Sequence, residues 1–155
     1  MNGKPHWLTP KQQLAWRTFV DVQQKLTTTI ARELQDIANL SEADYAVLVA
    51  LTDAPDGQLR FQRLRRALQW EQSRTSHHIA RMAKRGLVTR QDNPDDGRAV
   101  HVSITPAGRQ AIEAAAPQHV ATVRSVVIDP LTPEELDTFT HLCQRMLDQM
   151  ENKAP

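Results

Sequence analysis

The sequence predicts a mainly α-helical fold with one small β-hairpin. Three observations support this fold class: threonine–proline pairs that mark helix starts, apolar residues that recur every three or four positions, and two short alternating segments separated by a glycine-containing turn. Of the 155 residues, 40% are hydrophobic and 24% are charged, which is typical of one or two small globular domains. The chain has only five glycines, which also favours helices.

Four capping signals mark predicted helix starts. Three of them place a threonine hydroxyl directly before a proline suited to the first helical position: Thr9-Pro10, Thr105-Pro106 and Thr132-Pro133. Gln12 and Glu135 follow the first and third threonines by three residues, which completes capping boxes. Ser41 and Asp44 form a related fourth start.

The first two helices are predicted at about Pro10–Ile37 and Glu42–Thr52. The first carries one apolar stripe at helical spacing, made of Phe19, Val22, Leu26, Ile30, Leu34 and Ile37. A helix of about 40 Å is too long to be wholly covered by a small globular body. The second is predicted to bury Tyr45, Leu48, Val49 and Leu51. The segment Ala54–Gly57 ends it.

Two shorter helices and a hairpin are predicted next. The first short helix is about Phe61–Leu68, with Phe61, Leu64 and Leu68 inward. The second is Glu71–Arg85, with an apolar face made of Thr75, Ile79, Met82 and Ala83. Gly86 stands where a helix ends in a left-handed residue. Leu87–Arg90 and Ala99–Ile104 alternate like strands, and Asp95-Asp96-Gly97 suits the hairpin tip.

The C-terminal part is predicted to be helical. A helix that starts at Pro106 is rich in alanine, and Pro117 is expected to kink or split it. The last helix, Pro133–Met150, carries a wide apolar stripe made of Leu136, Phe139, Leu142, Cys143, Met146, Leu147 and Met150. Pairing the terminal helices between two copies would bury both stripes, so we predict a homodimer. Residues 1–40 and 106–155 are the predicted dimerisation helices.

Charge is strongly segregated along the chain. The segment Arg60–Arg90 holds nine basic residues and one acid, Glu71, whereas the rest holds ten basic and seventeen acidic residues. The whole-chain charge of +1 therefore conceals a segment at +8, which would attract a polyanion. A helix, a basic helix and a hairpin in this order are typical of a winged helix-turn-helix DNA-binding domain. We assign that domain to residues 41–105.

Double-stranded DNA is therefore the predicted partner. The candidate recognition helix presents polar side chains suited to base edges in the major groove: Gln72, Ser73, Arg74, His77, His78 and Arg81. Other basic residues are predicted to contact the phosphate backbone: Arg63, Arg65, Arg66, Lys84, Arg85 and Arg90. Arg98 at the hairpin tip suits a narrow minor groove, with Asp95 or Asp96 holding its guanidinium. The alternative for any single one of these residues is a solvated helix face.

Three stretches resemble the MarR family of transcription factors: Leu64-x-x-x-Leu68, Ser73 through Gly86-Leu87-Val88-x-Arg90, and Asp96-Gly97-Arg98 with Val102-x-Ile104-Thr105-x-x-Gly108. The flanking helices match as well, so the resemblance spans nearly the whole chain. The hairpin pattern is fairly specific. The chain departs from it at Gly97, where an arginine is common, and at Ile104, which replaces the usual leucine. The first change loses a DNA contact and makes the tip more flexible, whereas the second is neutral in the core.

The resemblance implies a dimeric winged-helix repressor or activator that binds a pseudo-palindromic operator. It also implies that the recognition helix ends at Arg85 and that Asp96 and Arg98 belong to the wing. Effectors in the family are often small aromatic or phenolic anions that release the protein from DNA. Candidate effector residues here are Trp7, Trp16, Arg17, Phe19 and Tyr45, although core packing is the commoner use of such aromatic residues.

Several other functions find little support. The six histidines form no zinc-like spacing, so no metal or cofactor is predicted. Cys143, the one cysteine, lies on an apolar stripe, where a thiol is usually inert. No glycine-rich phosphate loop, nucleophile elbow or carboxylate pair indicates an enzyme. No run of about 18 apolar residues predicts a membrane span, and the N-terminus does not resemble a secretory signal. A single cysteine excludes an internal disulfide, so we predict a reducing, cytoplasmic setting. The main alternative is a winged-helix adaptor that binds proteins and does not read DNA.

Overall fold

The computed structural model describes residues 7–92 and 100–153. These residues form two compact units, one that ends at Pro117 and one that begins at Gln118. Within the described part of the chain, the helices are α1 (Pro10–Ala38), α2 (Glu42–Thr52), α3 (Phe61–Leu68), α4 (Gln72–Lys84), α5 (Pro106–Val123) and α6 (Pro133–Glu151). The strands are β1 (Gln58–Arg60), β2 (Val88–Asp92) and β3 (Val100–Ile104). The mainly helical fold class is confirmed, whereas the division into three segments stays a prediction.

Reciprocal capping boxes start α1, α2 and α6. At α2, the Ser41 hydroxyl accepts from the backbone N–H of Asp44 at 3.0 Å, and the Asp44 carboxylate accepts from the backbone N–H of Ser41 at 2.9 Å. Thr9 forms the same pair with Gln12, and Thr132 with Glu135. Each box satisfies backbone donors that the first turn of a helix would otherwise leave unpaired. These predicted starts are therefore confirmed.

The core of the first unit lies between α2, α3, α4 and the sheet. Its fully buried apolar side chains are Leu34, Leu40, Val47, Leu48, Leu51, Leu64, Ile79, Met82, Val88 and Val102. The prediction for α2 was incomplete, because Val47 is fully buried while Tyr45 and Val49 are only half-buried. Ile112 and Ala115 of α5 also belong to this core, so the start of α5 packs as part of the first unit.

Within the single chain, the stripe predicted on α1 is buried in its second half up to Leu34, whereas Ile37 at its end is 44% exposed. Leu34 is fully buried, and Leu26 and Ile30 are half-buried. Phe19 and Val22 remain exposed. A large apolar surface therefore remains uncovered along the first half of this helix.

The sheet is antiparallel, with the strand order β1-β3-β2. β2 and β3 pair in register, with Val88 opposite Ile104 and Arg90 opposite Val102. They match the predicted hairpin strands to within two residues, although Ala99 and the tip at Asp95-Asp96-Gly97 lie outside the described residues. β1 was not predicted, because its three residues are too few to show alternation.

The segment that joins α4 to β2 is held by Thr105. Its hydroxyl donates to the Gly86 carbonyl at 2.6 Å and accepts from the Gly108 N–H at 3.0 Å. Gly86 has a φ of 77°, which confirms the predicted left-handed end of the helix. Thr105 thus connects the end of α4 to the first turn of α5.

Of the two outcomes expected at Pro117, a kink or a split of the fifth helix, the split is wrong, and the kink stays a prediction. α5 continues through Pro117 to Val123, and regular α-helical geometry ends instead in a π-helical turn at Arg124–Ile128. Proline removes only one backbone donor, so a single missing hydrogen bond need not end a long helix. In the second unit, Arg124 pairs with Asp129 at 2.9 Å after this turn.

Candidate nucleic-acid interface

The exposed face of α4 carries most of the side chains predicted to read DNA. Gln72, Ser73, Arg74, His77 and Arg81 are all exposed along this helix. The opposite face is held in the core by Thr75, Ile79 and Met82, each fully buried. The buried face fixes the orientation of α4, so its polar side chains point to solvent. A helix that binds in a major groove needs this arrangement.

The guanidinium of Arg74 packs against the aromatic ring of Trp70. The guanidinium carbon lies 4.5 Å from the centroid of the Trp70 ring, which is a cation–π distance. Trp70 precedes α4 and is half-buried. Trp70 was not among the predicted site residues, although its position four residues before Arg74 could have indicated such a contact.

The residues predicted as phosphate contacts have different local partners. Arg63, Arg66 and Lys84 are exposed. Arg65 is half-buried and donates to the Gln62 side chain at 3.0 Å. Arg90 lies 5.6 Å from the Phe61 ring centroid and donates to the Ser76 hydroxyl at 3.3 Å.

The prediction that His78 shares the exposed face of α4 is wrong. The residue is 8% exposed, and its Nε2 lies 2.9 Å from Oδ1 of Asp44, which is itself 2% exposed. His78 falls on the buried side because it follows Thr75 by three residues and precedes Met82 by four. It stays within the site but cannot contact a base edge from this position.

Arg85 is also engaged within the protein. Its Nη1 donates to Oδ2 of Asp44 at 2.6 Å, and its Nη2 donates to the backbone carbonyl of Asn39. Asn39 is the left-handed residue that ends α1, with a φ of 52°. A phosphate contact by Arg85 would therefore compete with this internal pairing, and that role stays a prediction.

The pKa values of Asp44 and His78 are both below their ordinary values, for different reasons. Burial raises the pKa of Asp44, but the backbone hydrogen bond from Ser41 and the Arg85 guanidinium outweigh this and hold the pKa below its ordinary value. Burial lowers the pKa of His78, the Asp44 carboxylate raises it, and nearby Arg81 and Arg74 lower it, with a net decrease. Asp44 is therefore charged and His78 neutral near pH 7.

The proposed effector residues do not come together within one chain. Trp16 and Phe19 are exposed with their ring centroids 6.1 Å apart, and Arg17 on the same helix is also exposed. Phe19 lies about 28 Å before the end of α1. Tyr45 lies at the start of α2, beyond that end, and packs against the core.

The structure tests the remaining predictions only where residues are described. Asp96 and Arg98 of the wing fall outside the described residues, so their role stays a prediction. Among residues 7–92 and 100–153, no group of three or more histidine, cysteine, aspartate or glutamate side chains is arranged to hold a metal ion. In the same residues, no helix is both long and apolar enough to cross a membrane.

Proteins similar to this chain include regulators of transcription. A sequence profile described as MarR family matches residues 38–99. The transcriptional regulator HosA of Escherichia coli O111:H- is 28% identical over 132 residues, which cover 85% of this chain and 96% of HosA.

Two solved structures from Streptomyces coelicolor are similar over almost the full length. Sco3205, a MarR family transcriptional regulator in complex with DNA, is 34% identical, with 96% of this chain and 92% of that chain covered and a TM-score of 0.87. AbsC, a MarR family transcriptional regulator, is 33% identical, with 96% and 99% covered and a TM-score of 0.89. Both likenesses include the helices outside the DNA-binding core.

Proposed function

This chain belongs to the MarR family of transcriptional regulators, and we propose that it represses transcription as a homodimer bound to a pseudo-palindromic operator. The observation that carries the proposal is the exposed polar face of α4, within a segment of nine basic residues and one acid. Sco3205, which is 34% identical, is in complex with DNA, and this supports DNA as the partner of this chain. A cytoplasmic location is part of the proposal, because a regulator of transcription must reach DNA.

Within the proposed interface, different residues have different roles. Arg74 and Arg81 read base edges, since a guanidinium fork matches the O6 and N7 atoms of guanine. Gln72, Ser73 and His77 contribute further groove contacts. Arg63, Arg65, Arg66, Lys84 and Arg90 neutralise phosphates, and Arg98 of the wing enters the minor groove.

The experiment that tests DNA reading is selection of bound sequences from random duplexes, followed by affinity measurements at several salt concentrations. We expect an enriched pseudo-palindrome with half-sites about one helical turn apart, and an affinity that falls as salt rises. Arg74→Ala should relax the preference at one position in each half-site. Negligible affinity for every duplex at low salt would favour the alternative, a winged-helix adaptor that binds proteins.

The homodimer is supported by the apolar surface that the single chain leaves exposed. On α6 the exposed apolar side chains are Phe139, Leu142, Met146, Leu147 and Met150. On α1 they include Leu14, Trp16, Phe19 and Val22. Several exposed apolar side chains along one helix face usually mark an interaction surface.

Sedimentation of wild type and matched variants tests the dimer. A double variant, Leu142→Glu with Met146→Glu, should shift the protein toward the monomer at micromolar concentration, because it places charges on the apolar face. His141→Glu lies on the opposite, polar side of the same helix and should leave the dimer intact. A wild-type protein that sediments as a monomer would exclude this part of the proposal.

A small aromatic anion is the proposed effector, in keeping with the family resemblance. The exposed aromatic pair of Trp16 and Phe19 supports it, and Arg17 on the same turn is a candidate partner for the charge of an anionic ring. Tyr45 remains a candidate if a partner subunit brings it to that pair. A panel of benzoate derivatives should release the protein from its selected duplex and raise its Tm. Release that Arg17→Ala leaves unchanged would remove Arg17 from the proposal.

A further inference from the structure

His78 lies at the centre of a group of charged side chains on α4. Arg74 precedes it by four residues and Arg81 follows it by three, so both extend from neighbouring turns on either side of the imidazole. His78 is buried, whereas both arginines are exposed. A buried side chain between two exposed arginines that are candidates for base contacts can fix the orientation of both arginine side chains.

The contact with Arg81 defines how the imidazole is protonated. Nη2 of Arg81 lies 3.1 Å from Nδ1 of His78. An arginine has only donors, so Nδ1 must be the acceptor and carries no proton. The proton of the neutral ring is then on Nε2, which faces the Asp44 carboxylate at 2.9 Å.

The contact with Arg74 passes through Trp70. The rings of Trp70 and His78 meet edge to face, with centroids 5.3 Å apart and an interplanar angle of 83°. The guanidinium of Arg74 lies over the same Trp70 ring at 4.5 Å. His78 thus supports the aromatic surface on which Arg74 rests.

Asp44 in turn holds the imidazole in this orientation. Its carboxylate belongs to the capping box of α2 and is fixed by Ser41 and Arg85. The result is a continuous series of contacts from the junction of α1 and α2, through Asp44 and His78, to Arg81 on the exposed face. The charged groups that face His78 are Asp44 from α2 and Arg74 and Arg81 from α4, and Arg85, directly after α4, pairs with the same Asp44.

We propose that His78 is a positioning residue that sets the Arg81 and Arg74 side chains for base reading and that releases Arg81 when it is protonated. The inference rests on the proposed function, because it assigns a role to the same surface. A protonated imidazole has no acceptor at Nδ1 and repels the guanidinium, so Arg81 loses its hydrogen bond. The decrease in the pKa of His78 is consistent with a neutral ring near pH 7.

Two variants separate hydrogen bonding from packing. His78→Gln keeps an amide oxygen for Arg81 and an amide nitrogen for Asp44, but it does not titrate. His78→Leu keeps an apolar volume but removes the acceptor. We expect His78→Leu to weaken binding to the selected duplex about two- to tenfold and to relax preference at the Arg81 position, while His78→Gln retains the preference. The salt slope should stay unchanged in both, since no phosphate contact is lost.

A double-mutant cycle with Arg81→Ala tests whether His78 acts through Arg81. In the Arg81→Ala background, His78→Leu should no longer change the preference at that position. Between pH 5 and 7.5, preference at the Arg81 position should fall with acidity in wild type and stay constant in His78→Gln. Equal pH dependence in the two proteins, or wild-type preference in His78→Leu, would overturn the inference.

Nitrogen NMR of the histidine rings gives a test that needs no DNA. In the free protein at pH 7.5, we expect His78 to carry its proton on Nε2 and an unprotonated Nδ1. A ring protonated on Nδ1 would contradict the inference even if DNA binding is confirmed. Conversely, a protein with the expected tautomer but no affinity for any duplex would refute the proposed function, and the positioning role for base reading with it.

Discussion

The guanidinium of Arg85 lies 2.6 Å from the carboxylate of Asp44, a residue forty-one positions earlier in the chain. This ion pair ties the end of the candidate recognition helix to the first turn of α2. The carboxylate is almost fully buried, whereas the Arg85 side chain is 38% exposed. Because Asp44 also contacts His78, one acid holds α4 at two points, seven residues apart.

Removal of the buried carboxylate should destabilise the fold. We expect Asp44→Ala to lower the free energy of unfolding by about 2 kcal/mol, because it removes the buried carboxylate that pairs with Arg85 and contacts His78, together with one half of the α2 capping box. This figure is below the usual cost for a fully buried pair, since solvent partly screens Arg85. Urea unfolding at one fixed protein concentration measures the change.

The matched control is the exposed pair of Arg124 and Asp129, whose side chains are 63% and 51% exposed. Asp129→Ala should change stability by less than about 0.5 kcal/mol. Equal losses for Asp44→Ala and Asp129→Ala would mean that burial does not strengthen the first pair.

The start of α5 should tolerate no side chain at Gly108. A Cβ atom there would lie 2.1 Å from the Leu87 carbonyl oxygen, so the backbone would have to move. We expect Gly108→Ala to cost about 3 kcal/mol or more in thermal or urea unfolding. Gly86→Ala serves for comparison, because a Cβ there meets nothing within 4 Å and adds only the strain of a φ of 77°, about 1–2 kcal/mol. A smaller loss for Gly108→Ala than for Gly86→Ala would contradict the close approach.

Local patterns were enough to predict most of the fold. Capping boxes depend on residues three positions apart, so Ser41 with Asp44 and Thr132 with Glu135 could be identified from the sequence. The three-residue strand β1 could not, because its pairing with β3 joins residues more than forty positions apart. The split at Pro117 was predicted wrongly, because the sequence shows that a proline lacks a backbone donor but does not show how the helix around it packs.

The candidate site was predicted less completely than the fold. Charge segregation identified the basic segment, but it could not separate exposed from buried polar residues. Helical spacing could have predicted which polar residues are buried. His78 lies on the stripe of Thr75 and Met82, and Asp44 lies on the stripe of Leu48 and Leu51. Two polar residues on buried stripes of different helices are expected to pair. Their contact itself required the tertiary structure.

Salt dependence should distinguish residues that contact phosphates from other surface cations. We expect Arg63→Ala to reduce the slope of log affinity against log salt by about 0.9, which corresponds to one phosphate contact on duplex DNA. Arg124→Ala removes an exposed arginine outside the basic segment and should leave the slope unchanged. Titrations with the selected duplex, at four or more salt concentrations, measure both slopes. Equal slopes in Arg63→Ala and wild type would remove Arg63 from the interface.

Stability should depend on pH in two separate windows. The folded pKa of His78 lies below its ordinary value of 6.5, so the unfolded chain binds more protons just below that pH. The free energy of unfolding should therefore fall as the pH drops from about 7 toward the folded pKa of His78. The pKa of Asp44 is also lowered, from 3.8, so its contribution is complete above that value and is lost as the pH falls through the folded pKa.

His78→Gln separates the two windows. It removes the titrating group of the upper window but keeps the acid of the lower one, so its stability should be flatter between pH 5 and 7 and should still decrease below about pH 4. Chemical unfolding of both proteins across this range gives the comparison. Other groups that titrate over the same range are identical in the two proteins, so the difference between the curves reports on His78. A His78→Gln curve parallel to wild type from pH 5 to 7 would mean that the His78 imidazole has the same proton affinity in the folded and unfolded chain.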